Sequence, residues 1–138
     1  MLELGKKQKL TILKKADFGV YLGEKENPQE RVLLPKKEVP ADAGIGAELE
    51  VFLYKDSRDR LIATRREPAL TLGEVAVLKV AQVASIGAFL DWGLEKDLLL
   101  PFRQQTARVR AGQECLVALY IDKSSRLCAT MNVSPYLR

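Results

Sequence analysis

The chain has 138 residues, of which 47% are hydrophobic and 29% charged, and it carries a net charge of +4 with a pI near 9.1. No apolar run approaches the roughly 18 residues that a membrane-spanning helix requires, and the N-terminus shows no secretory signal. We therefore predict a soluble, cytoplasmic protein with no membrane contact, whose mildly basic charge suits a polyanionic partner.

The residue types present argue against catalysis. The chain contains no histidine, so it can form neither a Ser-His nor a Cys-His nucleophilic pair. It also lacks the Gly-x-x-x-x-Gly-Lys phosphate loop, and its carboxylates are scattered over predicted turns. Two cysteines without histidine cannot complete the usual zinc tetrad. We predict a protein that is not an enzyme and uses no cofactor, no metal and no small-molecule substrate.

The first half of the chain predicts five short strands separated by turns. Residues 6–14 show the two-residue alternation of a half-buried strand, and Pro35 ends the third strand. Turn residues predict a loop over 23–30, and residues 36–46 hold at most one helical turn. The predicted strands are 6–14, 17–22, 31–34, 48–54 and 60–64, with a hairpin connection at 56–59.

The second half repeats this plan. Gly87 matches Gly19 at an offset of 68 (87 − 19), and Pro101 matches Pro35 at an offset of 66 (101 − 35). Ten identities then follow in the same order in 46–64 and 112–130, which indicates two copies of one domain. The predicted strands of the second copy are 74–83, 86–91, 97–100, 114–120 and 126–130.

Five short strands without a helix of useful length are typical of a small closed barrel. We predict an all-β chain of two tandem five-stranded OB-fold Greek-key barrels, each small but within the range that folds unaided. Gly19 and Gly87 are predicted to mark a bend or bulge that re-aims the side chains beside them. The predicted divisions are a first domain at 1–66, a linker at 67–72, a second domain at 73–132 and a C-terminal stub at 133–138.

The repeat also interprets the two cysteines. Cys115 matches Leu49, and Cys128 matches Ile62, both of which are apolar positions typical of a core. We therefore predict that both cysteines are reduced and packed as small hydrophobic residues.

The strand-two motifs and the hairpins resemble a known family of RNA-binding domains. Residues 17–22 (Asp-Phe-Gly-Val-Tyr-Leu) and 85–90 (Ser-Ile-Gly-Ala-Phe-Leu) precede a Leu-Pro strand end and an Asp-x-x-x-Arg-Leu hairpin. This pattern resembles the domain first named from ribosomal protein S-one. Residues 87–101 (Gly-Ala-Phe-Leu-Asp-Trp-Gly-Leu-Glu-Lys-Asp-Leu-Leu-Leu-Pro), with the Arg-Leu-x-Ala-Thr ending of both copies, resemble the conserved virulence factor B family.

The resemblance implies a bacterial protein that binds single-stranded RNA on its barrel surfaces and regulates gene expression after transcription, in the context of virulence. It also implies a further C-terminal winged-helix region, which this chain does not contain, so we expect a fragment or a shortened relative. The alternative function is a protein-interaction module that uses the same OB face without a direct role for RNA. Salt distinguishes the two functions, because polyanion binding weakens steeply as salt rises.

The resemblance further implies an RNA face with two aromatics beside the strand-two glycine and an Asp-Arg pair in the last hairpin. The second copy has Ile86 at one aromatic position, and the histidine of the family's face has no counterpart here. We expect Ile86 to pack, and we expect the first copy, with both aromatics and more lysines, to carry more of the RNA affinity. The predicted RNA-binding residues are Phe18, Tyr21, Lys14, Lys15, Lys36, Asp56, Arg60, Phe89, Asp122 and Arg126.

Several of these residues have structural alternatives. The aromatics could belong to the core instead, and Trp92 could either stack on a base or cover the mouth of the barrel. Asp56 and Asp122 open tight hairpins, where an aspartate side chain bonds to its own turn backbone. Closing the turn and contacting RNA are equally open roles for these two carboxylates.

Overall fold

The structure is a computed structural model that describes residues 1–137, so Arg138, the last residue of the predicted stub, lies outside the described residues. The chain divides into two compact units, Met1–Arg66 and Glu67–Arg138. Every regular element in the described part is a β-strand or a three-residue 3-10 turn. Over those same residues, no helix has the length and apolar character needed to cross a membrane.

The first unit is a closed five-stranded barrel in the order β1-β2-β3-β5-β4. Strands β3 and β5 run parallel, and the other neighbours are antiparallel. A 3-10 turn at Lys36–Glu38 follows β3, which agrees with the prediction of at most one helical turn over 36–46. The strands are β1 Lys7–Ala16, β2 Gly19–Glu24, β3 Asn27–Pro35, β4 Glu48–Lys55 and β5 Leu61–Thr64.

The second unit closes in the same way, with strand order β10-β8-β7-β6-β9 and one parallel pair, β8 with β10. Its 3-10 turn at Phe102–Gln104 again follows the third strand, and a further 3-10 turn spans Ser134–Tyr136. The predicted fold class of two tandem five-stranded OB-fold barrels is therefore confirmed. The strands are β6 Val75–Ala84, β7 Gly87–Asp91, β8 Leu98–Pro101, β9 Glu114–Ile121 and β10 Leu127–Thr130.

The core of the first barrel is built by strand alternation, because every second side chain points inward. A full burial of one such aliphatic side chain contributes about 1.5–3 kcal/mol. The buried residues of this core are Leu10, Ile12, Val20, Leu22, Val32, Leu34, Val51, Leu53 and Ala63.

Gly19 and Gly87 begin the second strand of each barrel, and close packing explains why glycine is needed there. Their φ angles are +152° and +148°, a region that residues with a side chain rarely adopt. A Cβ on Gly19 would lie 2.0 Å from the Leu34 carbonyl oxygen, and one on Gly87 would lie 2.4 Å from that of Leu100. The predicted bulge lies on the facing strand instead, between Ile12 and Lys14 in the first barrel.

Two sequence predictions for the first barrel were wrong. Strand β2 begins at Gly19 rather than at residue 17, because residues 17 and 18 form the turn that joins it to β1. The loop predicted over 23–30 is a tight hairpin, in which Glu24 pairs with Asn27. The ladder shifts register directly before this pair, and Pro28 fits such an irregularity because a bulge does not need its missing N–H.

Candidate nucleic-acid interface

A row of side chains crosses the outside of the first barrel. Its members, which pair with one another in successive ladders, are Lys14, Tyr21, Leu33, Ile62 and Tyr54. The intervening residues Leu22, Leu34 and Ala63 belong to the core. Because successive side chains of a strand point to opposite faces, the row lies on the outer side of the sheet, where Lys14 is exposed, Tyr21, Leu33 and Ile62 are half-buried, and Tyr54 is only 7% exposed. We call these five residues the first outer row.

Phe18 stands beside this row at the tip of the β1–β2 hairpin. Its side chain is 80% exposed, so Phe18 is not a core residue. The turn is held against the end of β3, because the Lys36 backbone N–H donates a hydrogen bond to the Phe18 carbonyl oxygen at 2.8 Å. Tyr21 follows on β2 and is half-buried. The hairpin thus presents one exposed aromatic ring, Phe18, and one half-buried ring, Tyr21.

The predicted lysines fall on two sides of the Phe18 turn. Lys14 pairs with Tyr21 on the first outer row, whereas Lys15 pairs with the core residue Val20 and has the opposite orientation. Lys15 and Lys36 instead line an open groove of about 450 Å³ between the turn and the chain after β3. The structure therefore brings Lys14 to the sheet face and Lys15 and Lys36 to the groove.

Arg31 is a member of this surface that the sequence analysis missed. Its guanidinium carbon lies 5.0 Å from the centroid of the Tyr21 ring, within the range of a cation–π contact. Arg31 pairs across the ladder with Gly23, which has no side chain to block this approach. The sequence predicted a loop that ended at residue 30, so Arg31 was expected at the start of a short strand. The longer β3 is what places Arg31 next to Tyr21.

Asp56 and Arg60 form the hairpin at the far end of the first outer row. One Asp56 carboxylate oxygen accepts the backbone N–H groups of Arg58 at 2.9 Å and Arg60 at 3.0 Å. The other accepts the Arg60 Nε–H at 3.1 Å. Partial burial raises the pKa of the carboxyl, but these donors outweigh it and the pKa of Asp56 lies below its usual value. Turn closure is thus established for Asp56, and the carboxylate orients Arg60.

The second barrel has an equivalent row on its outer surface. Its members, joined by the matching ladders, are Gln82, Phe89, Leu99, Cys128 and Tyr120, and we call them the second outer row. Phe89 is half-buried, like Tyr21 in the first barrel. Gln82 stands where the first barrel has Lys14, so the second row lacks a cation at this end.

The hairpin of the second barrel closes as the first one does. One oxygen of Asp122 accepts the backbone N–H groups of Ser124 at 2.8 Å and Arg126 at 3.0 Å. Partial burial raises the pKa of this carboxyl, but the two N–H groups and its other donors prevail and lower the pKa below the ordinary value. Asp122 therefore has a structural role in its turn, next to the second outer row.

Two predictions about the second barrel can be judged from exposure. Ile86 was expected to pack, but its side chain is 58% exposed, because it occupies the hairpin tip as Phe18 does in the first barrel. Trp92 is only 3% exposed, and its indole N–H donates to the Lys96 carbonyl oxygen at 2.7 Å. A buried indole cannot stack on a base, so the stacking alternative is wrong for Trp92.

Both cysteines are buried, as predicted. Cys115 lies on the inner side of the barrel, whereas Cys128 lies on the outer side. Cys115 pairs with Leu78 as Leu49 pairs with Leu10. Cys128 belongs to the second outer row, because the next residue of the strand points inward instead, and its thiol donates to the Asp122 carboxylate at 3.6 Å. Burial raises the pKa of Cys128 to about 12, with a further contribution from Asp122.

These surroundings predict thiols that are present but unreactive. Burial raises the pKa values of both thiols, so little of the reactive thiolate exists near pH 8. We expect a disulfide reagent to modify Cys115 and Cys128 slowly in the native protein, and to count two thiols at once in denaturant without reductant. Fast native modification of Cys128, or fewer than two thiols in denaturant, would contradict this assignment.

The described residues contain no group of three or more His, Cys, Asp or Glu side chains arranged to hold a metal ion. The chemical groups that the two faces offer are flat rings, guanidinium and ammonium cations, and aliphatic side chains. Such a set matches single-stranded nucleic acid, whose bases stack on aromatic rings and whose phosphates attract Lys and Arg.

Comparisons with known sequences find one domain family twice. The S1 domain matches residues 4–66 and again residues 72–132. The protein YitL of Bacillus subtilis (strain 168) is 35% identical over 97 residues, which cover 70% of this chain and 32% of YitL. Conserved virulence factor B of Staphylococcus saprophyticus is 28% identical over 109 residues, which cover 74% of this chain and 36% of the relative. The chain thus spans about a third of the length of these relatives.

A solved structure shares the architecture. The crystal structure of a multidomain protein with nucleic acid binding domains from Streptococcus pneumoniae TIGR4 aligns with a TM-score of 0.75. The alignment covers 91% of this chain and 45% of that one at 20% sequence identity, which shows a common fold. Because the S1 domain matches both halves, the chain belongs to the S1-domain family as a tandem pair of such domains, and it is similar to YitL and conserved virulence factor B over about a third of their length.

Proposed function

We propose that this chain binds single-stranded RNA on the outer faces of its barrels, as part of a bacterial regulator that acts on gene expression after transcription. The observation that carries the proposal is the 80% exposure of Phe18 at the tip of the hairpin whose second strand carries Tyr21 of the first outer row. The two S1 domains support a nucleic-acid-binding and non-enzymatic role.

An exposed aromatic ring on a sheet surface needs a partner with a flat face. A base stacked on such a ring contributes about 1–3 kcal/mol, and it does so with little dependence on sequence because every base has a π-face. Phe18 exposes its ring at the hairpin tip, and Tyr21 lies three residues further on, in strand β2. An unpaired strand has its base faces free to stack on such rings, whereas a duplex keeps them stacked on one another.

The cations around these rings provide the phosphate contacts. Lys14 lies across the ladder from Tyr21, Arg31 lies over its ring, and Arg60 is held by Asp56 at the end of the row. Lys15 and Lys36 line the groove next to the Phe18 turn, where the RNA strand would leave the face of the sheet. In this arrangement Asp56 and Asp122 close the hairpins that carry Arg60 and Arg126, and Asp56 also holds the Arg60 side chain.

Competition binding tests the choice of ligand. A fluorescently labelled single-stranded RNA is bound to the chain and displaced by unlabelled single-stranded RNA, single-stranded DNA or duplex RNA of equal length. We expect single-stranded RNA to compete best and duplex RNA to compete poorly, because paired bases hide the faces that Phe18 and Tyr21 would stack on. Equal competition by the duplex would indicate that only phosphate charge is recognised, and would contradict the proposal.

A further inference from the structure

The connection between β8 and β9 in the second barrel differs sharply from its counterpart in the first. Residues 102–112 contain three arginines and no acidic residue, whereas residues 36–46 contain two lysines, one glutamate and one aspartate. The connection therefore carries a charge of +3 in the second barrel and zero in the first. It also begins with an aromatic residue, Phe102, where the first barrel has Lys36.

The ladders establish that Phe102 and Lys36 occupy the same place. Gly19 pairs with Pro35 in the first barrel, and Gly87 pairs with Pro101 in the second, so the residue after each proline lies beside the hairpin tip. Both 3-10 turns are tied to the last strand in the same way. The Thr64 hydroxyl donates to the Glu38 carboxylate at 2.7 Å, and the Thr130 hydroxyl donates to the Gln104 side-chain oxygen at 2.7 Å.

The aromatic residue therefore occupies a different one of these two neighbouring positions in each barrel. The first barrel places an aromatic ring, Phe18, at the hairpin tip and a cation, Lys36, after the proline. The second barrel places an aliphatic residue, Ile86, at the tip and an aromatic ring, Phe102, after the proline. The second hairpin has no aromatic ring at its tip, but Phe102 provides one beside the tip, directly after Pro101.

Arg108 completes this site. Its guanidinium carbon lies 5.1 Å from the centroid of the half-buried Phe102 ring, and the Arg108 side chain is exposed. The same combination of arginine over aromatic ring occurs in the first barrel, where Arg31 lies over Tyr21 at 5.0 Å. A planar guanidinium supported on a ring gives a flat cationic surface on which an unpaired base can stack.

Arg103 links Phe102 to the second outer row. Its positive charge acts on the Tyr120 hydroxyl and the Cys128 thiol, where it opposes the burial that raises their pKa values. No carboxylate of residues 1–137 forms an ion pair with Arg103 or Arg108, so both charges are available to a polyanion. Phosphate contacts by such exposed cations give binding its salt dependence.

We propose that Phe102 and Arg108 form the base-stacking site of the second barrel, and that Arg103 holds the phosphate of the same single-stranded RNA as it crosses toward Phe89. This inference rests on the proposed function and deepens it, because it gives the second barrel a complete site that its Ile86 position does not provide.

The test uses the whole chain and a labelled single-stranded oligouridylate of about 20 nucleotides, long enough to reach two OB-type barrels. We expect Phe102→Ala to raise the Kd by about 5-fold to 150-fold, the range for loss of one stacking platform. Phe102→Leu keeps most of the apolar volume of this half-buried residue, and it should weaken binding as much while folding normally. Phe102→Trp should bind like the parent.

Two further variants separate stacking from exposure and charge. Ile86→Ala removes an exposed apolar side chain from the neighbouring hairpin tip, and it should leave the Kd within about twofold of the parent. Arg103→Gln should flatten the slope of log K against log salt by about 0.7, the value for one phosphate contact on a single strand.

The outcomes distinguish this inference from the proposed function. If the parent binds the RNA and well-folded Phe102→Ala and Phe102→Leu variants bind equally well, the second barrel does not use Phe102 and the inference is wrong, while the proposed function stands. If the parent itself does not bind single-stranded RNA, the proposed function fails and this inference fails with it.

Discussion

Replacing Gly19 by alanine is expected to unfold the first barrel. The added Cβ would lie 2.0 Å from the backbone oxygen of Leu34, which cannot move without breaking the β2–β3 ladder, and the φ of +152° adds backbone strain. Overpacking and strain of this kind together cost about 3 kcal/mol or more. A domain of this size has a total stability of roughly 3–10 kcal/mol, so a cost of this size removes at least about a third of it and unfolds a barrel at the lower end of the range.

Circular dichroism and proton–nitrogen correlation spectra measure this effect. The matched control is Gly44→Ala, because a Cβ at Gly44 meets no atom within 4 Å, and this variant should keep the parent's spectrum and melting temperature. Gly87→Ala should act on the second barrel as Gly19→Ala acts on the first, since its Cβ would lie 2.4 Å from the Leu100 oxygen. A Gly19→Ala protein that melts within a few degrees of the parent would refute the packing described for this hairpin.

Phe18→Ala and Tyr21→Ala are each expected to weaken binding of single-stranded RNA by on the order of 1–3 kcal/mol, the value of one stacking platform. Phe18 is 80% exposed, so its removal should leave folding unchanged and act on binding alone. Tyr21 also supports the Arg31 guanidinium, and its loss removes both the ring and the ordered cation. Lys14→Ala should cost less and should flatten the salt slope by about 0.7 if one phosphate contact is lost.

A control for these variants removes an exposed apolar side chain away from the outer row. Ile45 is 67% exposed in the connection before β4, and Ile45→Ala should bind RNA like the parent. Fluorescence anisotropy gives the Kd, and circular dichroism confirms the fold of each variant. If folded Phe18→Ala and Tyr21→Ala proteins bind like the parent while Phe89→Ala abolishes binding, the working face belongs to the second barrel alone.

The architecture was predictable because it is encoded locally and twice. Alternating apolar residues place the strands, Pro35 and Pro101 end the third strand of each copy, and the repeat joins the halves into one plan. The ends of the strands were harder to predict from the sequence, because the pairing between neighbouring strands determines them. The strand β3 begins at Asn27 only because Glu24 is near enough to pair with it, which turn residues alone do not reveal.

The candidate site was predictable in its residue types and less so in its orientations. The bulge between Ile12 and Lys14 changes which residues face outward, so the sequence could not separate Lys14 on the row from Lys15 in the groove. The exposure of Ile86 follows from the hairpin turn rather than from its hydrophobicity. Arg31 needed the register of β3 before its contact with Tyr21 could be recognised.

Titration of the whole chain with labelled single-stranded RNA at two salt concentrations tests the central claim most directly. We expect saturable binding at about 50 mM salt that weakens steeply by about 200 mM, with log K falling linearly against log salt at roughly −0.7 per phosphate contact. An apolar interface for a protein partner would not show this slope. Absence of binding at low salt, or an affinity that does not change with salt, would contradict the assignment of these barrels to single-stranded RNA.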